Sequence, residues 1–312
     1  MSVEHRTLRY PSSDGKNSIY TELFIPEGEP LGVIQLAHGM VDHVGRYRHV
    51  GRYFAEAGYV FAAADHLGHG RTAATPEDYG YFAPRDGYKR VIEDVRGLNE
   101  YLHREYPSLP LVLVGHSMGS FITRLYVTAY PDTVDGYICH GTAGKNPAAP
   151  FGIALIGIMK KIFGDRHRSS FVRSLADGGY NGRFDPSEGE SAWLSRDPER
   201  IAAAHDPEIP SFTFTLSAYG DLFRMLSYCN KSAWFRSYPK ALPTLIMSGA
   251  EDPVGGFGKG VVQVHRRLER AGLSDLTLKL YPGARHELFN EKNTDEVYAD
   301  MLAWLEGIRE GR

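Results

Sequence analysis

The sequence predicts an α/β fold built on a mostly parallel sheet, and three observations support this prediction. Short runs of branched apolar residues, such as "LPLVLVG" and "PTLIMSG", alternate with segments of helical periodicity along most of the chain. These runs are continuously apolar, which is typical of strands buried on both faces of a parallel sheet. Of the 312 residues, 42% are hydrophobic and 12% aromatic, which suits a well-packed globular protein.

Eight strands and the helices between them follow one another along the chain. "RTLRY" and "SIYTELFIP" lie on either side of Ser-Ser-Asp-Gly, a pattern that predicts a hairpin. Six further strands are predicted at "GVIQLAHG", "VFAAAD", "LPLVLVG", "DGYICHG", "PTLIMSGAED" and "LTLKLYPGA". Helices are predicted at "YRHVGRYFAEAGY", "GYKRVIEDVRGLNEYLHREY", residues 118–130, "GKGVVQVHRRLERAG" and "DEVYADMLAWLEGIRE". In the second of these, apolar residues recur at three- and four-residue steps, at Val91, Val95, Leu98 and Leu102.

The alternation of strands and helices lapses between residues 145 and 215. This region contains the apolar stretch "FGIALIGIMKKIFG", a run rich in Gly, Ser and Asp, and no credible core strand. We therefore predict a core made of residues 1–144 and 216–312, with residues 145–215 inserted as a helical cap.

Composition and charge narrow the class of protein. The net charge is -3, and the 35 basic and 38 acidic residues are spread along the chain, so we expect no nucleic-acid partner. The two cysteines, Cys139 and Cys229, cannot form a disulfide framework, and Cys139 lies in an apolar run that predicts a buried thiol. The sequence has no signal-peptide pattern and no apolar run of about 20 residues. We expect a soluble cytoplasmic protein.

The segment "GHSMG", residues 115–119, places a serine between a predicted strand and a predicted helix. So abrupt a turn holds its central residue in a sparsely allowed backbone conformation, and side chains two residues before and after it would collide. Gly115 and Gly119 remove those collisions. Ser117 would then lie at the carboxyl edge of the sheet, beside a helix N-terminus that favours negative charge. This arrangement is that of the nucleophile elbow of α/β-hydrolases.

A serine nucleophile needs a base, and the base needs an orienting acid. In this fold the acid follows a later strand and the histidine follows the last one. Asp252 comes directly after "PTLIMSG", and His286 comes directly after "LTLKLYPG". We therefore predict the triad Ser117, Asp252 and His286, with Glu251 as the one rival for the acid.

The oxyanion of acyl transfer needs two preorganised N–H donors. One should be the backbone N–H of Met118, directly after the nucleophile. The other should come from the loop after "GVIQLAHG", where Gly39 permits a close approach and the N–H of Met40 is the predicted donor.

The other histidines are interpreted as structural. His116 should pack and hydrogen-bond beneath the turn rather than serve Ser117. His66 and His69 in "DHLGHGRT" have no third and fourth ligand at zinc-like spacing, so we expect each to hold a loop in place and predict no metal site.

Five segments together resemble the bacterial lysophospholipase and monoacylglycerol lipase branch of the α/β-hydrolases, also grouped with serine aminopeptidases. They are "AHGMVDHVGRY", "DHLGHGRT", "GHSMGS", "SGAEDPVG" and "GARHELFNE". The resemblance covers nearly the whole chain and is weakest in the predicted cap. It implies no cofactor, and it implies the same nucleophile, acid, base and amide donors, namely Ser117, Asp252, His286, Met40 and Met118. The chain departs from the family at Asp42-His43, where relatives usually carry Glu-His, so a structural side chain of that loop is shorter.

The predicted cap bears on the substrate. This stretch is apolar almost all the way round, which favours a helix that lines an acyl pocket over one that only packs on the core. Transient contact with lipid surfaces stays open beside plain packing on the core. The predicted pocket residues are Ile153, Ile156, Ile158 and, from the later stretch "FTFTLSAYGDLFRMLSYC", Leu222. The leading substrate class is a single-chain lipid ester, either a monoacylglycerol or a lysophospholipid.

The sequence leaves two other functions open. The same triad serves peptidases, amidases and thioesterases that act on small apolar substrates. A ligand-binding protein that kept the fold but lost turnover is disfavoured by the intact triad.

Overall fold

The computed structural model of the protein describes residues 2–311, and within them eight strands form a single sheet. The strands are β1 (Val3–Pro11), β2 (Ser18–Pro26), β3 (Gly32–Ala37), β4 (Tyr59–Ala64), β5 (Leu111–His116), β6 (Gly136–His140), β7 (Thr244–Gly249) and β8 (Leu276–Tyr281). Their order across the sheet is β1-β2-β4-β3-β5-β6-β7-β8. The β1–β2 and β2–β4 pairs are antiparallel, and all other neighbours are parallel. The predicted eight-stranded, mostly parallel sheet is confirmed.

Ten α-helices are found in the same described residues. They are α1 (Arg48–Glu56), α2 (Gly87–Glu105), α3 (Met118–Ala129), α4 (Ala149–Phe163), α5 (Ser170–Asp177), α6 (Pro198–Ala203), α7 (Leu216–Tyr228), α8 (Ser232–Ser237), α9 (Lys259–Arg270) and α10 (Thr294–Arg309). Helices α1 and α10 cover one face of the sheet, while α2, α3, α7, α8 and α9 contribute to the core on the other.

The continuous burial of the central strands explains their apolar sequences. Every residue of β3, β4, β5, β6 and β7 is buried, because helices cover both faces at those positions. On α2 the predicted apolar stripe is buried as expected, at Val91, Val95, Leu98 and Leu102. The edge strand β8 is mostly half-buried.

The parallel register brings the carboxyl ends of five strands to one edge of the sheet. Ala37 at the end of β3 pairs with Gly115 of β5, and His116 pairs with His140 at the end of β6. Farther along, His140 pairs with Met247 of β7, and Gly249 pairs with Tyr281 of β8. The loops that follow β3, β5, β7 and β8 carry all the predicted catalytic residues, so these residues share this edge.

Residues 145–215 contain α4, α5 and α6, and none of the described residues in this segment joins the main sheet. The expectation that the segment holds no core strand is thus confirmed, while its treatment as a separate cap stays a prediction. We refer to residues 145–215 as the insertion. Among residues 2–311, no helix combines the length and the apolar character that a membrane span requires.

Candidate active site

Ser117 occupies a strained turn between β5 and α3. Its backbone has φ 54° and ψ -120°, a conformation that costs a non-glycine residue roughly 1–3 kcal/mol. The Ser117 N–H donates to the carbonyl oxygen of His140 at 3.0 Å, which holds the turn against the end of β6. The surrounding sheet therefore compensates the strain of this backbone conformation. Ser117 is half-buried and lies at the N-terminus of α3, as predicted.

The two flanking glycines are required, but for different reasons. A Cβ added at Gly115 would collide with Thr123 Oγ1 and lie 2.6 Å from the carbonyl oxygen of Gly119, which is the predicted collision across the turn. A Cβ added at Gly119 would instead collide with the carbonyl oxygen of Ala37 in β3. Gly119 thus lets α3 lie against the end of a neighbouring strand, a contact that the sequence did not reveal.

Asp252 and His286 form a buried pair. Nδ1 of His286 lies 3.0 Å from Oδ1 of Asp252, close enough for an ion pair although the atoms are not aligned as in a straight hydrogen bond. Asp252 is held by the N–H of Val254 at 2.8 Å and by the Ser248 hydroxyl at 3.2 Å. Burial alone would lower the pKa of His286, but the negative charges of Asp252 and Glu287 outweigh it and raise that pKa above its ordinary value of 6.5.

The rival acid, Glu251, is exposed at the surface. Its N–H donates to the carbonyl oxygen of Ala284 at 2.9 Å, which ties its backbone to the loop that carries His286. The geometry therefore favours Asp252, which is fully buried and in contact with the imidazole.

Asp42 organises the loop that carries the predicted oxyanion donor Met40. Its carboxylate accepts from the N–H of Gly39 at 3.2 Å, the N–H of His43 at 2.8 Å and the hydroxyl of Tyr47 at 2.6 Å. Burial alone would raise the pKa of Asp42, but the charge of Arg46 and the bound hydroxyl contribute to lowering it to about 2. The shorter side chain that departs from the family pattern thus still holds this loop as an ionised group.

The loop lies directly against Ser117, the predicted nucleophile. A Cβ added at Gly39 would lie 3.1 Å from the Cβ of Ser117, so the backbone before Met40 passes beside the serine. Met118 is the first residue of α3, where backbone N–H groups have no partner within the helix. The role of the Met40 and Met118 N–H groups as oxyanion donors stays a prediction.

An ion pair that sequence reasoning missed joins this loop to the loop of His286. Arg46 donates to both carboxylate oxygens of Glu287, at 2.9 and 2.7 Å, and also to Asp42 at 3.3 Å. Arg46 and Glu287 both lie in segments that carry the family resemblance, but 241 positions separate them and no sequence pattern indicates their contact.

The three other histidines interpreted from the sequence bond to backbone or pack. The Nδ1–H of His69 donates to the carbonyl of Leu67 at 3.1 Å, within its own turn, as predicted. His66 instead contacts the carbonyl of His38 at 3.2 Å, so it supports the loop of Met40 rather than its own turn. His116 is buried, and its ring centroid lies 4.9 Å from that of His286. No cluster of metal ligands occurs among residues 2–311.

Three of the four predicted pocket residues face the interior. Ile156 and Leu222 are buried and Ile153 is half-buried, and the first two share an apolar cluster with Met118. Ile158 is 59% exposed, so its predicted place in the pocket is wrong for this structure. Two residues along a helix correspond to a rotation of about 200°, and α4 therefore cannot bury both Ile156 and Ile158 on one side.

A cavity of about 680 Å³ borders Arg46. It is bounded by the core loop near Arg48 and by residues 203–208 of the insertion, and the predicted catalytic side chains are not among its lining residues. The site is therefore located by the geometry of Ser117, Asp252 and His286 rather than by this cavity.

Comparisons with known proteins agree with the geometry. The family model of serine aminopeptidase S33 matches residues 28–293. The chain belongs to this family. It is 29% identical over 298 residues to the monoacylglycerol lipase of Mycolicibacterium smegmatis, covering 92% of each chain. It is 25% identical to the monoglyceride lipase of Rattus norvegicus, covering 94% of this chain and 88% of the relative.

Solved structures extend the similarity to the fold. A thermostable carboxyl esterase from Bacillus coagulans, in complex with glycerol, superposes with a TM-score of 0.91 at 29% identity, covering 99% of this chain and all of that one. A lipase in an open form superposes with a TM-score of 0.90 at 26% identity, with the same coverage. The protein is a serine hydrolase of the α/β-hydrolase fold.

We predict that Gly119→Ala destabilises the protein. The added methyl group would press against the backbone of β3, which cannot move without disturbing the sheet, so the free energy of unfolding should fall by roughly 1–3 kcal/mol. Urea denaturation measures this difference. Gly157→Ala is the matched control, because no atom lies within 4 Å of its added Cβ in the middle of α4, and it should leave stability unchanged or raise it by up to about 1 kcal/mol. Equal stabilities for the two variants would contradict the prediction.

Proposed function

We propose that the protein hydrolyses single-chain lipid esters through an acyl-enzyme on Ser117, with monoacylglycerol as the leading substrate. The observation that carries the proposal is the buried contact of Asp252 with His286 at the same sheet edge as the strained Ser117. This reaction needs an acid, an imidazole and a hydroxyl, and all three lie on loops at one edge of the sheet.

The reaction runs in two steps. His286 takes the proton of Ser117 as the hydroxyl attacks the ester carbonyl, and the protonated imidazole then gives that proton to the leaving alcohol. Water, activated by the same imidazole, next cleaves the acyl-enzyme and releases the fatty acid. The N–H groups of Met40 and Met118 stabilise the oxyanion in both steps, each contributing on the order of 3 kcal/mol.

The apolar surroundings of the nucleophile support a lipid substrate. Ile156 of α4, Leu222 of α7 and Phe121 of α3 belong to one buried cluster with Met118. An acyl chain received among such side chains would gain about 0.8 kcal/mol for each buried methylene group. The similarity to a monoacylglycerol lipase over 92% of the chain favours glycerol as the alcohol.

A substrate panel tests the proposal. We expect long-chain monoacylglycerols to be hydrolysed with a higher kcat/KM than an acetate ester, a lysophospholipid or an aminoacyl amide. Ser117→Ala should lower turnover by roughly 10⁴-fold and abolish covalent labelling by a fluorophosphonate probe, because members of a triad act as a unit. Ser108→Ala, at an exposed serine in the turn before β5, is the control and should match the wild type.

Each other outcome of the panel identifies a different function. Preference for the aminoacyl amide would identify a peptidase, and preference for a thioester added to the panel would identify a thioesterase. Absence of both turnover and labelling in the wild type would identify a ligand-binding protein. Residual activity of Ser117→Ala within tenfold of wild type would show that another residue is the nucleophile.

We predict that Asp252→Asn shifts the pH profile as well as the rate. The base must be neutral, so kcat/KM falls as pH drops through the pKa of His286, which the Asp252 charge contributes to raising above 6.5. Without that charge the pKa falls and the acid limb moves to lower pH, while kcat drops by about 10⁴-fold. Glu251→Gln is the matched control and should leave the limb in place. A limb that moves with Glu251→Gln and not with Asp252→Asn would reverse the assignment of the acid.

We also propose that the insertion touches lipid surfaces through an outer apolar face. We define this outer face as the exposed apolar side chains of α4 and α5, namely Phe151, Ile158, Ile162, Phe163, Phe171 and Leu175. Lys161, Arg166 and Arg173 are exposed on or between the same helices, so the face combines apolar groups with positive charge. This combination suits the surface of an anionic bilayer. The cytoplasm remains the predicted location, since a reducing compartment suits two buried free thiols.

We predict that replacing Ile158 and Ile162 together with serine weakens binding to vesicles of phosphatidylglycerol and phosphatidylcholine by at least about tenfold, because apolar area is no longer buried in lipid. Hydrolysis of a water-soluble short-chain ester should not change. Co-sedimentation and activity assays measure the two effects. Leu31→Ser, at an exposed leucine outside the outer face, is the control. Unchanged vesicle binding by the double variant would reject the proposed membrane contact.

A further inference from the structure

A short part of the insertion, which we call the clasp (residues 192–196), is bonded to the loop that carries His286. The N–H of His286 donates to the carbonyl of Trp193 at 3.4 Å, and the N–H of Glu287 donates to that of Leu194 at 2.8 Å. The Arg285 guanidinium donates to the carbonyl of Ala192 at 2.6 Å. Three successive residues of the histidine loop therefore bind three successive carbonyl groups of the clasp.

The far end of the clasp is held by a buried carboxylate. Glu291 accepts from the N–H of Arg196 at 3.2 Å and from its Nε at 2.8 Å, and it also accepts from the N–H of Arg285 at 2.8 Å. The hydroxyl of Ser195 donates to the carbonyl of Asn290 at 2.6 Å. Because Glu291 is fully buried, loss of these partners would leave a charge without compensation. The clasp is thus fixed to the histidine loop along its whole length.

The ring of Trp193 lies over the imidazole of His286. The two centroids are 5.1 Å apart and the planes are inclined by 32°. The backbone N–H of Trp193 donates to Asn181 Oδ1 at 2.9 Å, and its ring packs 4.8 Å from that of Tyr180. The indole therefore forms a wall beside the imidazole, with the ring of Tyr180 packed against it.

The imidazole also has contacts with the core. The ring of His116 lies 4.9 Å from that of His286, and a Cβ added at Gly141 would lie 3.2 Å from His286 Cε1. These contacts matter because an imidazole can adopt a broad range of torsion angles about its Cβ–Cγ bond. Asp252 contacts only Nδ1, and the atoms are not aligned as in a straight hydrogen bond. Packing must supply the rest of the orientation.

We propose that Trp193 is a positioning residue for His286, so that the insertion supplies part of the catalytic machinery. The indole limits the rotation of the imidazole, whose Nε2 must face Ser117 for the reaction to occur, while the clasp fixes the indole to the histidine loop. This inference rests on the proposed role of His286 as the base. Movement of the clasp away from the histidine loop would remove the wall and impair both acylation and deacylation.

Two substitutions of Trp193 test the inference. Trp193→Leu should lower kcat by roughly 10- to 100-fold with KM changed less than about threefold, because a misplaced base slows chemistry without removing substrate contacts. Trp193→Phe keeps a flat ring and should recover kcat to within about threefold of wild type. The low-field proton NMR signal of His286 Nδ1–H should broaden in the leucine variant and persist in the phenylalanine variant.

Tyr53→Leu is the matched control for the loss of a stacked ring. Tyr53 of α1 packs 4.3 Å from Tyr298 of α10, so its variant should lower the melting temperature without changing kcat. If Trp193→Leu does not fold, Tyr180→Leu removes the ring behind Trp193 and should lower kcat by a smaller factor with the same NMR broadening.

The outcomes separate this inference from the proposed function. Wild-type kcat in Trp193→Leu, or an equal loss in the leucine and phenylalanine variants with an unchanged NMR signal, would overturn the positioning role. A rise in KM alone would make Trp193 a substrate contact and overturn it as well. In each of these cases, loss of activity in Ser117→Ala would still support the proposed hydrolase function. Retained activity in Ser117→Ala would refute that proposed function itself.

Discussion

The close packing of α3 against the end of β3 determines the geometry of the whole site. At Gly119 the helix backbone lies so near the carbonyl groups of Ala37 and His38 that only a residue without a Cβ fits. The same packing sets Ser117 against Gly39, at the start of the loop that carries Met40. The nucleophile and the loop beside it are therefore fixed by contact between backbones, and no flexible side chain intervenes. Donors held in this way need no reorganisation during the reaction.

A chain of buried charges extends this rigidity to the base. Asp42 holds the loop of Met40, Arg46 binds Asp42, and Glu287 binds Arg46 on the other side. Glu287 directly follows His286, so the loop of the predicted oxyanion donor and the loop of the predicted base are connected through two ion pairs. Buried pairs of this kind add little net stability, but removal of one partner is costly because it leaves a charge unpaired. Their contribution here is to fix the two loops relative to each other.

Features that depend on local sequence patterns could be predicted from the sequence, whereas contacts between residues far apart in the chain could not. Continuous apolar runs gave the buried strands, and the positions of Ser117, Asp252 and His286 after particular strands gave the edge at which they lie. The Arg46–Glu287 pair and the stacking of Trp193 on His286 join residues far apart in the chain, and neither leaves a periodic signal. The prediction for Ile158 was wrong because an apolar composition all round α4 does not show which side is buried. Gly119 was correctly singled out, but its steric partner belongs to another strand and could not be read from the turn.

The insertion is bound to the core at several places along its length, including the contacts of Asp165 with Tyr81, of Arg168 with the carbonyl of Tyr79 and of Asp206 with Arg71. Near the end of α4, Lys160 donates to the carbonyl of Pro84 at 2.7 Å, and the clasp is bonded to the histidine loop. Helix α4 packs on α7 with a glycine on each side, Gly152 opposite Phe223 and Gly220 opposite Ile156. Each glycine leaves room for the larger side chain opposite it, so the two helices interlock closely. The clasp is therefore one part of an insertion that is held against the core over much of its length, as the proposed positioning role of Trp193 requires.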